Sequence, residues 1–256
     1  TDDPLLEKTL NKISKEHHQK RLGAVSTLES LVVGAQLIQR TPAGLEAVDR
    51  NTGQLRWRFP AENALNHLLR FGDADRRKEL AEAIEASLKR RLWYDVGWGA
   101  LSSNGQFVFA VEDLGFDMGL DFQRIITRLD GTRQLDATAY DQANSIAAYD
   151  LGTGKLVWQV GEAFGRASPE FRGGRFLGPP LPLGERLYAV VDFDEDTRLM
   201  MLDAEDGHVS RQWILQVRES APQRTTGLST VAECRLPVQN APPVFADGVL
   251  VSSTPD

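Results

Sequence analysis

The sequence predicts an all-β fold, a partial β-propeller of about three four-stranded blades and the start of a fourth, and three observations support this prediction. A phrase of the form Asp-x-x-x-Gly, followed by a strand with Trp, is repeated. Short alternating runs flank each copy, and another pair of strand-like runs precedes it. Repeated units of four strands are typical of propellers. An N-terminal helix and a helical insertion are predicted to accompany the blades.

The repeated phrase predicts a β-hairpin with a loop of about four to five residues. In such a loop the Asp side chain accepts hydrogen bonds from N–H groups, and the Gly adopts a positive φ. The first two Trp residues follow their Gly by four positions and the third by six. Because both offsets are even, all three rings are predicted to lie on the same side of their strands. The three copies are Asp49, Gly53 and Trp57; Asp150, Gly154 and Trp158; and Asp203, Gly207 and Trp213.

The domain organisation follows from where the repeat is interrupted. We predict a helical segment over residues 1–24 and a partial propeller over residues 25–256. A helical insertion at about 62–93 and a polar loop at about 114–144 separate the first two phrases. The insertion carries one apolar residue every four positions, which predicts an amphipathic helix that covers the propeller surface. These residues are Leu80, Ile84, Leu88 and Leu92.

The fourth unit has two strand-like runs, near 243–245 and 248–252, without the Asp-x-x-x-Gly hairpin. Three blades and a stub are too few for a closed ring, since even four blades is about the smallest number in known propellers. Unclosed strand edges would expose backbone groups. The sequence therefore predicts an open arc, and we expect the chain to be a fragment of a longer protein.

Composition narrows the functional classes. The formal net charge is −7, and no basic stripe accompanies it, which argues against nucleic-acid binding. No apolar run approaches the roughly 18 residues of a membrane span. Cys234 is the single cysteine, so the chain has no internal disulfide and no cysteine-based zinc site.

The phrases at 44–57 and 145–158 resemble the repeat of pyrroloquinoline-quinone-type propellers, Ala-x-Asp-x-x-Thr-Gly-x-x-x-Trp. Thr52-Gly53 and Thr153-Gly154 match this signature, whereas Asp206-Gly207 departs from it. The resemblance implies that the repeat Trp docks against the neighbouring blade. It also implies a periplasmic or otherwise exported location. The Trp residues concerned are Trp57, Trp158 and Trp213.

Two functional classes share this resemblance. Quinoprotein dehydrogenases bind the quinone and a calcium ion and oxidise alcohols or sugars, whereas relatives such as the outer-membrane assembly lipoprotein are non-catalytic. A single cysteine excludes the vicinal cysteine pair of many such alcohol dehydrogenases. The Glu–Asn–Asp calcium set of the family also matches no motif in this chain.

We therefore expect a non-catalytic module for binding or scaffolding, with no catalytic or cofactor-binding residues and no cofactor. Its partner would be the remainder of a larger bacterial parent chain or another protein. The alternative is part of a dehydrogenase that depends on pyrroloquinoline quinone and calcium.

One acidic run is a candidate calcium site, with Asp192, Asp194 and Asp196. Alternating acidic oxygens can bind calcium. The run falls where a hairpin should turn, and solvated acids there need no ligand. It also lacks the glycine and the distal glutamate of a known calcium loop. We expect no metal at this run.

Overall fold

The computed structural model describes residues 4–20, 28–60, 81–93, 95–113, 144–161, 169–193, 195–217 and 243–252. Three predicted features lie outside these residues: Leu80 of the apolar stripe, Asp194 of the acidic run and Cys234. The polar loop predicted at 114–144 also lies outside them, except for Asn144, which begins a strand.

The strands form three blades and a two-stranded stub, which confirms the predicted partial propeller. Neighbouring strands in every sheet are antiparallel. The first blade contains β1 (Ser30–Val33), β2 (Gln36–Thr41), β3 (Gly44–Asp49) and β4 (Leu55–Pro60). The second contains β5 (Leu101–Ser103), β6 (Phe107–Asp113), β7 (Asn144–Asp150) and β8 (Leu156–Gly161).

The third blade contains β10 (Leu181–Leu183), β11 (Arg186–Asp192), β12 (Asp196–Asp203) and β13 (Val209–Val217), and β9 (Arg175–Phe176) pairs with β11. The stub contains β14 (Val244–Ala246) and β15 (Val249–Val251). In each blade the strands are ordered in space as they are in the chain. Each blade is therefore a simple meander, and the last strand is its outer edge.

The hydrophobic cores lie between adjacent blades. Alternate residues of a strand point to opposite faces, and β6 shows both faces buried because the second blade is the middle one. Phe107, Phe109 and Val111 pack toward the third blade, in a core with Leu187 and Met200. Val108 and Ala110 pack toward the first blade, with Ile38, Ala47 and Trp57.

The described helices pack on one another and on the second blade. In the part of the chain that the structure describes they are α1 (Pro4–Gln19), α2 (Ala81–Trp93) and α3 (Val96–Gly99), and a 3-10 turn spans Pro169–Phe171. Three of the four residues of the predicted apolar stripe, Ile84, Leu88 and Leu92, are buried in α2. Lys12 of α1 forms an ion pair of 2.6 Å with Glu85 of α2. Among the helices that the structure describes, none combines the length and the hydropathy required to cross a membrane.

Candidate functional site

The three Asp-x-x-x-Gly loops have the same backbone geometry. The carbonyl of each Asp accepts a hydrogen bond from the Gly N–H, at 2.7 Å for Gly53, 2.8 Å for Gly154 and 3.0 Å for Gly207. The φ angles of these glycines are +70°, +69° and +73°. A residue with a Cβ is strained at such angles, so the backbone itself accounts for the glycine in the repeat.

The Asp side chains stabilise these loops by accepting hydrogen bonds from loop residues. Asp49 Oδ1 accepts from the backbone N–H groups of Asn51 and Thr52, at 2.9 and 3.1 Å. Asp150 Oδ1 accepts from the N–H and the hydroxyl of Thr153, at 2.8 and 2.7 Å. Asp203 Oδ1 accepts from the Glu205 N–H at 2.9 Å. The three repeat carboxylates are thus engaged in turn formation.

These hydrogen bonds favour the charged carboxylates. The guanidinium of Arg56 donates to Asp49, and with the backbone N–H groups of Asn51 and Thr52 it lowers the pKa of Asp49 to about 2. The hydroxyl and N–H of Thr153 likewise lower the pKa of Asp150 below its usual range. Both side chains remain ionised at neutral pH.

The first joint between blades is a contact between Trp57 and the turn of the second blade. The indole Nε1 of Trp57 donates to the carbonyl of Leu151 at 2.9 Å. The ring lies so close to Gly154 that a Cβ there would be 2.3 Å from Trp57 Cε3. Trp57 is 7% exposed. Gly154 is therefore required by the neighbouring blade as well as by its own φ angle.

The second joint repeats this contact one blade further along. Trp158 Nε1 donates to the carbonyl of Ala204 at 3.0 Å. A Cβ on Gly207 would be 2.8 Å from Trp158 Cε3. Each joint thus combines an indole N–H donated to the residue after the Asp with a ring packed on the Gly.

The third copy departs from the first two in register, and this corrects the expectation that Trp213 docks like the other tryptophans. Trp57 is paired with Ala47 and Trp158 with Ala148, each two residues before its Asp. In the third blade the residue two before Asp203 is Met201, and its partner is Arg211. Arg211 therefore lies at the docking position. The sequence already carried this signal, since Arg211 is four residues after Gly207.

Trp213 lies two residues further along the same face of β13, opposite Leu199. The matching residues of the other blades are Phe59, opposite Leu45, and Val160, opposite Ile146. Phe59 packs on Tyr149 of the second blade, with ring centroids 5.0 Å apart. Trp213 is 41% exposed. It thus takes the position of a residue that packs between blades, without being buried there.

The outer strand of the third blade is exposed and apolar. Ile214 is 60% exposed and Val217 is 69% exposed, and Leu215 is exposed between them. Among the described strands β13 pairs with β12 alone. The stub adds a second apolar surface. Its exposed residues are Val244, Phe245, Val249 and Val251.

A network of buried charged side chains, here called the tie, connects the first two blades. The sequence analysis did not predict it. Arg40 of β2 forms an ion pair with Glu112 of β6 at 3.0 Å, and Tyr149 donates its hydroxyl to the same carboxylate at 3.0 Å. The guanidiniums of Arg40 and Arg91 stack on the Trp98 ring, with Cζ 4.5 and 4.1 Å from its centroid. The partners of Arg40 are more than 50 residues away in the sequence, and no short motif marks them.

Arg91 completes this tie from the helical side. It belongs to α2 and forms an ion pair with Asp113, the last residue of β6. Asp95 caps α3 by accepting from the Trp98 N–H at 3.0 Å. The described acids of this cluster thus fix the helices and the first two blades together.

The acidic run on the third blade is engaged with an arginine of the same strand. Both carboxylate oxygens of Asp196 accept from Arg198, at 2.6 and 2.9 Å. This contact raises the pKa of Arg198. Asp192 accepts from the Thr197 hydroxyl at 2.9 Å. The described residues contain no group of three or more His, Cys, Asp or Glu side chains that could hold a metal ion.

Solved structures with a similar backbone course include BamB from Moraxella catarrhalis, with 14% identity and a TM-score of 0.42 over 89% of this chain and 46% of that chain. Two quinohemoprotein alcohol dehydrogenases are also similar, each with 16% identity over 75% of this chain. ADHIIG from Pseudomonas putida HK5 is covered to 21% with a TM-score of 0.41. The enzyme from Comamonas testosteroni is covered to 22% with a TM-score of 0.37. The chain thus spans less than half the length of each.

A comparison with curated protein sequences finds no match. Residues 43–254, most of the chain, match the sequence profile of the family described as outer membrane protein assembly factor BamB. This range contains all three repeat loops and both joints. The chain therefore belongs to the BamB family of propeller proteins.

Proposed function

We propose that this chain is a non-catalytic propeller module that binds or scaffolds another protein. The observation that carries the proposal is the outer strand β13, where Trp213, Ile214, Leu215 and Val217 are all exposed. Contiguous exposed apolar residues are typical of protein-interaction surfaces. An edge strand also offers unpaired backbone N–H and C=O groups to a partner strand. Apolar contact and backbone pairing are thus available at one place.

The polar residues of the repeat support the same proposal. The carboxylates of Asp49, Asp150 and Asp203 close their own turns. The buried Arg40 is paired with Glu112 across the first joint. These groups stabilise the framework and present the outer surface rigidly. A rigid framework with a binding surface on its edge is what a scaffold requires.

We also propose that the module acts in an exported, periplasmic setting, as part of a larger bacterial protein or in complex with a separate one. Membership of the BamB family supports this.

A site-specific cross-link tests the binding function. A photoreactive amino acid replaces Ile214 on β13 or, as the matched control, Leu55 on the outer strand of the first blade, which is 54% exposed. In cells that express the chain, we expect a discrete protein adduct from position 214 and none from position 55. The purified partner should then bind the wild-type chain and not the Ile214→Asp variant. No adduct at 214, or the same adducts at both positions, would contradict the proposal.

The dehydrogenase alternative makes a different prediction. Addition of pyrroloquinoline quinone and calcium would give a stoichiometric quinone absorbance band and oxidation of an alcohol or sugar with an artificial electron acceptor. The proposed function predicts neither. A saturable quinone band at one equivalent would overturn it.

A further inference from the structure

The turn between β5 and β6 differs chemically from the matching turns of the other two blades. We infer that its Asn104–Gly105 step is a site of self-catalysed deamidation, a modification that converts Asn104 to an aspartyl or isoaspartyl residue. The reaction needs water as its only co-reactant. The inference is independent of the proposed binding function.

The repeat shows that the fold does not require an asparagine in this turn. In all three blades a glycine with a positive φ occupies the turn, and the carbonyl of the next residue accepts from the N–H that follows the repeat Asp. The residue before this glycine is Val33 in the first blade and Leu183 in the third, but Asn104 in the second. Apolar residues therefore serve the turn equally well at this position.

The side-chain amide of Asn104 is polarised as an electrophile. Its Oδ1 accepts from the backbone N–H groups of Gln106 and Phe107, at 3.0 and 2.8 Å. Attack on Cγ places negative charge on this oxygen, and two N–H donors at such distances stabilise that charge, as in an oxyanion hole. The turn therefore favours addition to the Asn104 side chain.

The nucleophile is the backbone nitrogen of Gly105. Its N–H donates to Ser103 Oγ at 3.0 Å, and the Ser103 hydroxyl itself donates to the Phe107 carbonyl at 2.6 Å. A lone pair of Ser103 Oγ is thus directed at the proton that the Gly105 nitrogen must lose. Gly105 is exposed, and no described atom lies within 4 Å of a Cβ added to it, so the approach to Asn104 is not crowded.

The reaction proceeds through a cyclic succinimide. The Gly105 nitrogen bonds to Asn104 Cγ, the Cγ–Nδ2 bond breaks, and the proton lost by Gly105 leaves with Nδ2 as ammonia. Water then cleaves one of the two imide C–N bonds. Cleavage at Cγ gives aspartate, whereas cleavage at the main-chain carbonyl carbon gives isoaspartate, whose main chain runs through the former side chain. Neither step oxidises or reduces any atom.

The modified turn is connected to the first joint. The Gln106 carbonyl accepts from the Leu151 N–H at 2.9 Å, and the Leu151 carbonyl accepts from Trp57 Nε1. An isoaspartyl residue lengthens the main chain just before Gln106 and displaces the oxygen that accepts from the Gln106 N–H. We expect faster hydrogen exchange of the Trp57 indole N–H in the purified isoaspartyl form. Equal exchange in the modified and unmodified chains would contradict this connection.

The test compares the folded full chain with a peptide of residues 101–108, both incubated at neutral pH. Peptide mapping by mass spectrometry follows the conversion of each asparagine. We expect Asn104 to convert at least about threefold faster in the folded chain than in the peptide. Asn51 and Asn144, which precede Thr and Ser, are internal controls and should remain amides while Asn104 converts. A folded rate equal to or below that of the peptide would overturn the inference, because the turn would then protect the amide.

Two serine variants test the contribution of Ser103. Ser103→Ala removes the acceptor of the Gly105 N–H and should slow conversion about tenfold. The matched control Ser102→Ala removes a hydroxyl that donates to the Pro180 carbonyl, and it should convert like the wild type. Circular dichroism checks that both variants fold, and if either does not, the comparison of the wild-type chain with the peptide decides. Equal rates in folded Ser103→Ala and wild type would overturn the role given to Ser103.

Discussion

The two inner joints and the outer face of the third blade are built from the same repeat but differ in what covers them. At the joints, Trp57 and Trp158 donate to the next blade and pack on its glycine. On the third blade, Arg211 and Trp213 occupy the corresponding positions and are exposed. The comparison teaches that burial of a repeat residue depends on the following blade. The repeat itself provides the facing and the turn.

The largest expected effect separates Trp57 from Trp213. Trp57→Ala removes a buried ring and its hydrogen bond from the first joint, so we expect a loss of about 3–5 kcal/mol in the free energy of unfolding. Trp213→Ala removes an exposed ring and should cost less than about 1 kcal/mol. Urea denaturation of both variants measures the difference. Similar losses in the two would break the comparison.

The buried pair across the first joint gives a prediction of comparable size. Arg40→Met leaves the Glu112 carboxylate buried without its cation, which should destabilise the chain by about 3–5 kcal/mol. Arg58, whose side chain is exposed, pairs with Glu46 at 2.8 Å in the same blade. Arg58→Met should change stability by less than about 1 kcal/mol, because exposed pairs contribute little. Thermal unfolding of both variants at neutral pH is the measurement. Equal shifts of the melting temperature would show that the buried pair does not stabilise the fold.

Glycines with and without a neighbouring ring are expected to differ by a smaller amount in stability when they are substituted. Gly53 and Gly154 have the same φ, but no described atom lies within 4 Å of a Cβ added to Gly53. Gly154→Ala meets the Trp57 ring as well as the backbone strain. We expect it to cost about 1–3 kcal/mol more than Gly53→Ala. Chemical denaturation of the two variants in parallel checks this. Equal losses in the free energy of unfolding would mean that the Trp57 ring moves aside without destabilising the chain.

The smallest expected effect is on the pH dependence of stability. The pKa of Asp49 is lowered in the folded chain to about 2, below the usual value of about 3.9 of an unfolded Asp. The folded state therefore binds this proton less readily. The resulting stabilisation is complete above pH about 4 and is lost as the pH falls toward 2. Asp49→Asn should flatten the dependence of the melting temperature on pH in this window. An unchanged slope would contradict the role given to the carboxylate.

Much of the fold can be predicted from the sequence because each hairpin is formed by residues that are close together in the chain. The Asp and Gly of each loop are four residues apart, and the strand period fixes the side on which a Trp lies. The apolar stripe of α2 is equally local. These features need no knowledge of distant residues.

The remaining features depend on contacts between distant residues. The tie between Arg40, Trp98 and Glu112 joins two blades and a helix, so no spacing in the sequence marks it. The place of Trp213 along its face is a further feature of this kind. Both even offsets give the same face, but only the pairing of Met201 with Arg211 shows which residue reaches the docking position.

Hydrogen exchange of the indole N–H groups tests the central claim most directly. In a chain labelled at tryptophan, nuclear magnetic resonance resolves the Nε1–H signal of each ring. We expect slow exchange for Trp57 and Trp158, whose indoles donate to the carbonyls of Leu151 and Ala204, and fast exchange for Trp213. Exchange of Trp213 as slow as that of Trp57, in the chain alone, would show that its face is already covered and would contradict the account.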